Sequence, residues 1–370
     1  MTLRIANIER RENCKSKIVQ DLEKTAEYLG HQIDSIPSAQ LLDGTQRLTN
    51  QDIVLIYGSI ITNARYSEIA QAVQNQGLTV FDKTENMQQV HSMEKYYDIL
   101  REQGIPTPKT AIIPLPAEIV KYAKTGDVMS FILGLEDVLT AKLPEELTPS
   151  KENRIFLKTD KRSSKIKLNR NFAKDMCALQ SKAYYMIRDS RQDVGSLVIR
   201  EDAKLQLAYI GKSDGVKRKR KREYRFFVIG GEPICWSFYN EINNPRQETI
   251  EKCKLQPDEL EQMKNILNKI TPAIKSHFYV ADFGVKENGD STIIELNPGY
   301  ASGIAYDCFP VVHSALFSYL SLVKKDPKML CNIPDGRFKE QLDFEQLEKV
   351  RKDMTGDSKK WGIFSGWLPK

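Results

Sequence analysis

Residues 277–299 read HFYVADFGVKENGDSTIIELNPG, and this stretch limits the possible folds more than any other part of the chain. Two apolar runs, Phe278–Val280 and Ile293–Ile294, flank the turn-forming segment Glu287–Asp290, the pattern of a β-hairpin. Asp282 leaves the first strand, and Glu295 and Asn297 leave the second. Glu295 and Asn297 are two residues apart, so on an extended chain both side chains point to one face. A hairpin brings Asp282 opposite them. Two carboxylates and an amide oxygen that converge are hard oxygen donors, suited to Mg²⁺ carrying a nucleotide phosphate chain. Pro298-Gly299 then lets the backbone turn sharply and come close to a ligand.

The rest of the sequence narrows the classes of protein that could carry such a hairpin. At 370 residues the chain is long enough for two or three domains. Hydrophobic content of 41% and charged content of 28% are those of a globular protein in water. No apolar run approaches the ~20 residues of a membrane span, and the first residues lack a secretory apolar core. Cys14, Cys177, Cys235, Cys253, Cys308 and Cys331 are scattered without a CxxC pair. This fits free thiols in the cytoplasm better than a disulfide frame or zinc site. His31, His91, His277 and His313 show no metal-ligand spacing. The net charge of +6 is concentrated in six consecutive cations, Lys217–Arg222, and in a basic stretch from Lys158 to Arg170. Such runs attract nucleic acid, nucleotide phosphates or an acidic polypeptide.

Residues 1–90 alternate strand and helix patterns (Leu3–Ile8, Ile18–Leu29, Asp52–Tyr57, Tyr66–Val73, Leu78–Phe81), as in a parallel sheet covered by helices. No GxGxxG turn marks a dinucleotide site there. A helix over Ser92–Gln103 ends at Gly104-Ile105-Pro106-Thr107-Pro108, which forces an extended exit. Beyond it lies an apolar segment, Val128–Leu139. Then come a strand Arg154–Lys158, a polar loop Asp160–Asn171 and a helix Phe172–Asp189. The strand Leu197–Arg200 runs into Glu201-Asp202. Strands Tyr224–Ile229 and Pro233–Phe238 turn at Gly230-Gly231, and a helix spans Pro257–Ile274. After the hairpin come a helix over 311–323 and a charged helix Glu340–Met354.

Several residues could act on an anionic ligand. Lys158 closes an apolar strand and can neutralise phosphates as a point charge, as can Lys95 on its helix. Arg162, Ser163, Ser164 and Lys165 lie in a loop that could cover phosphates with amides and hydroxyls. Arg200, Glu201 and Asp202 follow a strand where an adenine edge could find backbone donors and acceptors. Glu223 and Arg225 share one strand face. The arginine fork suits a phosphoryl oxyanion, although a cross-strand salt bridge would place the same two residues there.

The order of these pieces resembles the ATP-grasp superfamily over about residues 90–325. The closest likeness is to divergent members whose hinge reads Arg-Glu and whose next strand reads Glu-x-Arg. The interval of 13 residues from Asp282 to Glu295, then two to Asn297, matches the family's Mg²⁺ motif. The resemblance implies an α/β fold: a Rossmann-like domain over 1–90, a small grasp lobe over 91–195, a large lobe with the metal site over 196–330, and a tail over 331–370. It implies ATP and Mg²⁺ as cofactors. Lys95, Lys158, Ser163 and Ser164 would contact phosphates, and Arg200, Glu201 and Asp202 would form the adenine hinge. Glu223 would belong to the nucleotide site. Arg225 would face the γ-phosphate, Asp282, Glu295 and Asn297 would hold Mg²⁺, and Gly299 and Tyr300 would border the acceptor.

The activity so implied is ligation of a carboxylate to an amine through an acyl-phosphate, on a small-molecule, peptide or acidic polypeptide substrate. Two other readings stay open. One is a kinase of the same fold acting on a hydroxyl. The other is a nucleic-acid or polyanion-binding protein using Lys217–Arg222.

Overall fold

In the computed structural model, which describes residues 2–8, 16–45, 53–59, 61–160, 171–190, 194–213, 216–239, 247–334, 337–356 and 365–367, the N-terminal alternation forms a parallel sheet. Its strands are β1 (Thr2–Ile8), β2 (Gln32–Pro37), β3 (Ile53–Gly58) and β4 (Thr79–Phe81), in the order β2-β1-β3-β4. Every residue of β3 is buried, as a continuous apolar run requires when helices cover both faces. The helix Lys17–Tyr28 stops ahead of Gly30 at φ 70°, and Asn63–Gln74 is capped by Thr62, which accepts from the Arg65 amide at 3.0 Å.

The chain divides into two compact units. One comprises Ser92–Asp98 and Thr107–Lys204. Its antiparallel sheet is built from β5 (Thr110–Pro114), β6 (Ile155–Thr159), β7 (Phe172–Ala173) and β8 (Ser196–Glu201), ordered β5-β8-β6-β7. Ile113, Ile155, Leu157, Leu197 and Ile199 turn one face to the core. The apolar segment at 128–139 belongs to a helix, Val128–Lys142, whose Phe131, Leu135 and Leu139 form a buried stripe at four-residue spacing. The helix expected from Phe172 begins at Met176 instead. Phe172 and Ala173 pair with β6, and Asp175 caps the helix by accepting from the Ala178 amide at 2.7 Å.

The other unit joins Met1–His91, Ile99–Pro106 and Leu205–Lys370. It holds the hairpin β9 (Leu207–Ser213) and β10 (Val216–Lys221). Its five-stranded antiparallel sheet comprises β11 (Glu223–Ile229), β12 (Glu232–Phe238), β13 (Phe278–Val285), β14 (Ser291–Pro298) and β15 (Ser365–Trp367), ordered β14-β13-β11-β12-β15. The basic run is thus largely a strand. The β11–β12 turn uses Gly230 and Gly231 at φ 58° and 80°, the left-handed pair that a tight hairpin demands. The helix Pro257–Ile270 ends early because Thr271-Pro272 passes into a 3₁₀ turn. The tail helix begins at Phe344, capped by Asp343, rather than at Glu340, which lies in a 3₁₀ turn. One core runs through this unit: Ile5, Leu55 and Ile56 of the parallel sheet, Phe227 and Val280 of the antiparallel sheet, and Val312 and Leu316 of the helix Phe309–Lys325.

No helix of the described residues is long and apolar enough to cross a membrane. Cys177, Cys235, Cys253, Cys308 and Cys331 are free, and Cys14 lies outside the described residues.

Candidate active site

The antiparallel sheet sets three charged side chains in a row. Register places Arg225 of β11 opposite Asp282 of β13, and Asp282 opposite Glu295 of β14. Residues directly opposite share a face, so the row crosses three adjacent strands. Asn297, two residues after Glu295, joins the same face. The register shifts just after Asp282, which pairs with Glu295 while Phe283 pairs with Ile293. Ile294 is therefore the extra residue of a β-bulge, and the bulge aligns the two carboxylates. Asp282, Glu295 and Asn297 lie within the strands rather than beyond their ends.

The contacts are close. Arg225 grips Asp282 with both prongs, Nε to Oδ1 and Nη2 to Oδ2, each at 2.8 Å. Its Nη1 donates to the Gly303 carbonyl at 3.0 Å, and its guanidinium lies 4.7 Å from the Tyr239 ring centre. Asp282 is 2% exposed. Burial works against the Arg225 charge, but the Asp282 carboxylate outweighs it and holds the guanidinium above its ordinary range. Burial, reinforced by Asp282, pushes the Tyr239 phenol up.

Asn297 Nδ2 donates to Asp282 Oδ2 and to Glu295 Oε1, each at 3.1 Å. The two carboxylates therefore converge on a single point. Turning the amide about its last torsion would present Oδ1 there in place of its donor. Two carboxylates face one guanidinium, leaving negative charge in surplus. This donor set fits a hard divalent cation such as Mg²⁺. Among the described residues no group of three or more His, Cys, Asp or Glu is placed to hold a metal, so the amide is needed to complete the set.

Near the row, Glu223 is half-buried two residues before Arg225, and its carbonyl accepts from the Tyr239 amide at 2.9 Å. Gly299 follows β14, where an added Cβ would fall 2.5 Å from the Phe278 ring, so only glycine fits without displacement. Tyr300 is 5% exposed and packs in the core, its ring 5.3 Å from that of Tyr66.

The sheet of the other unit has two unlike faces. Opposite its core face, Phe156, Lys158, Val198 and Arg200 share the second, since Phe156 pairs with Arg200 and Lys158 with Val198. Lys158 is 5% exposed and Arg200 4%. Arg200 donates to the hydroxyls of Thr110 at 2.9 Å and Thr107 at 3.2 Å, which fixes the fork at the exit of the Gly-Ile-Pro-Thr-Pro segment. Glu201 exchanges main-chain contact with Lys109, and its carboxylate accepts from the Lys109 amide at 2.9 Å. Asp202 is engaged by Arg154, whose guanidinium lies 4.2 Å from the Phe172 ring centre. Lys95 is exposed on the helix Met93–Glu102. Arg162, Ser163, Ser164 and Lys165 lie outside the described residues.

Two contributors escaped the sequence. Tyr239, just past β12, and the Gly303 carbonyl both meet Arg225 through contacts distant in the chain, and no local pattern marks either.

Comparison with known proteins gives a family to this geometry. The family model of an ATP-grasp domain, family 3 of its clade, matches residues 115–318, more than half of the chain. Comparison with curated proteins found no match. Among solved structures, the RimK domain protein ATP-grasp from Sphaerobacter thermophilus DSM 20745 is similar at 10% identity, with 85% of this chain and 98% of that one covered and a TM-score of 0.50. D-cycloserine synthetase DcsG is similar at 12% identity, with the same coverage of 85% and 98% and a TM-score of 0.50. The sheets, the Glu-x-Arg strand and the family match agree: this chain belongs to that ATP-grasp domain family and is an enzyme of the ATP-dependent ligase class.

Proposed function

We propose that the protein joins a carboxylate to an amine, forming an amide through an acyl-phosphate made at the expense of ATP. The observation that carries this reading is the row Arg225–Asp282–Glu295 with Asn297, a charge-rich set on a buried sheet face. Asp282, Glu295 and Asn297 would hold Mg²⁺, which would supply neutralisation of phosphate oxygens. Arg225, fixed in place by Asp282, Gly303 and Tyr239, would stabilise charge on the transferring phosphoryl group. Lys158 would meet ATP phosphates as a point charge, and the Arg200-Glu201 strand end would receive the adenine through its main chain. Gly299, where the chain bears no Cβ, would border the acceptor.

The chemistry needs no side-chain nucleophile. A carboxylate oxygen of the donor attacks the γ-phosphorus, and ADP departs. The amine then attacks the acyl carbon, inorganic phosphate departs, and the amine proton is lost to solvent. The protein contributes alignment and charge neutralisation. An amino-acid or peptide substrate is the expected class.

ATP turnover against a panel of amino acids and acidic peptides tests the proposal. A ligase releases ADP and phosphate in equal amounts, and only when carboxylate and amine are both present. ADP formed with a phosphorylated product and no free phosphate would show a kinase instead.

A further inference from the structure

The hairpin β9–β10 is not used by the chemistry proposed above. Its six cations do not form one surface. Arg222, just beyond β10, is drawn inward, and both of its terminal nitrogens bind the Glu259 carboxylate. The Lys221 ammonium donates to the Leu205 carbonyl. Charge facing outward is carried by alternate residues of the strand, with Lys217 and Lys219 exposed. Register sets Lys219 opposite Ile210 and Lys217 opposite Lys212, so these four positions share one face. Ile210 is 59% exposed there and Leu207, at the start of β9, 44%. Among the described residues β10 pairs with β9 alone, so its other edge offers main-chain donors and acceptors. Lysines on an edge strand guard against unwanted pairing, but a guard has no use for an exposed isoleucine beside them.

We propose that the free edge of β10 docks an acidic peptide segment in extended form, as an added strand. Its main chain would pair with β10. Carboxylates on alternate residues, repeating about every 6.8 Å, would meet Lys217 and Lys219, and an aliphatic side chain would cover Ile210. The surface is less suited to single-stranded nucleic acid, which needs rings for its bases to stack on. The hairpin's aromatic residue, Tyr209, is part-buried with its ring 6.4 Å from that of Phe238, and it covers Gly211 so closely that an added Cβ would fall 2.9 Å from it.

The test uses the full chain without nucleotide, so its outcome is independent of the ligase reading. A labelled peptide alternating Glu with Thr and carrying one Leu is titrated by fluorescence anisotropy, beside its Gln counterpart and a single-stranded oligonucleotide of equal charge. The acidic peptide binds and its affinity falls with salt. The Gln peptide binds much less, and the double variant Lys217→Glu/Lys219→Glu weakens binding at least about tenfold. Ile210→Asp, a separate single change, also weakens it, and hydrogen exchange of the β10 amides slows in the complex. An acidic peptide that does not bind, binding unchanged in folded variants, or an oligonucleotide held more tightly than the peptide overturns the proposal.

Discussion

Arg222 and Arg225 lie three residues apart, and each grips a buried carboxylate with two prongs, yet the two pairs differ in what surrounds them. Arg222 meets Glu259 and, around it, Gln206 Oε1 at 2.9 Å, the Lys254 carbonyl at 2.8 Å and the Tyr224 hydroxyl at 3.2 Å. Each of these three surrounding partners is neutral, so one cation faces one anion. Arg225 meets Asp282, but Asp282 faces a second carboxylate, Glu295, across the sheet. A buried pair closed by neutral partners is an anchor, whereas a pair with a further anion beside it leaves charge that a cation can neutralise. The same chemistry thus makes a structural pin at one site and a receptive cluster at the other.

The contrast can be broken first at Glu295. Glu295→Gln keeps the shape and removes the surplus charge, so turnover falls by about 10²–10³-fold while the thermal midpoint holds or rises. Loss of folding together with activity would show Glu295 to be a structural partner like Glu259. Glu259→Gln gives the opposite signature. Arg222 loses its buried partner, denaturant unfolding registers a loss of about 3–5 kcal/mol, and turnover per folded molecule is retained. A third measurement separates both pairs from the core beneath them. His313 is fully buried, bonded to the Tyr57 hydroxyl at 2.9 Å, and burial holds its imidazole down at about 3. The unfolded chain takes up that proton near its ordinary value while the native state does not, so stability falls as pH drops from about 6.5 toward about 3. The loss at pH 5 is on the order of 2 kcal/mol, and it shrinks in His313→Gln. Asp82, raised by burial, works in the opposite sense, and an unchanged slope in the variant would assign the acid loss elsewhere.

How much of this was legible in the sequence depended on range. The metal hairpin could be read because two apolar runs, a turn and a two-residue spacing are local, and β13 and β14 form where those signals place them. The Glu-x-Arg strand was legible for the same reason. The bulge at Ile294 was not, because it depends on pairing rather than composition. Lys217–Arg222 reads as one cationic surface in the sequence. Pairing with β9 turns most of it into a strand and the Glu259 contact turns Arg222 inward, a tertiary override of charge pattern and propensity. Tyr239 and Gly303 could not be found at all, since their partner is assembled by the fold.

The central claim is that the surplus charge beside Arg225 receives Mg²⁺ with a nucleotide. Calorimetric titration of ADP, with and without Mg²⁺, tests it directly on the native protein and on the Glu295→Gln and Glu259→Gln variants. Mg²⁺ tightens ADP binding in the native protein and in Glu259→Gln, and the gain disappears in Glu295→Gln. Equal Mg²⁺ dependence in Glu295→Gln and the native protein would contradict the account.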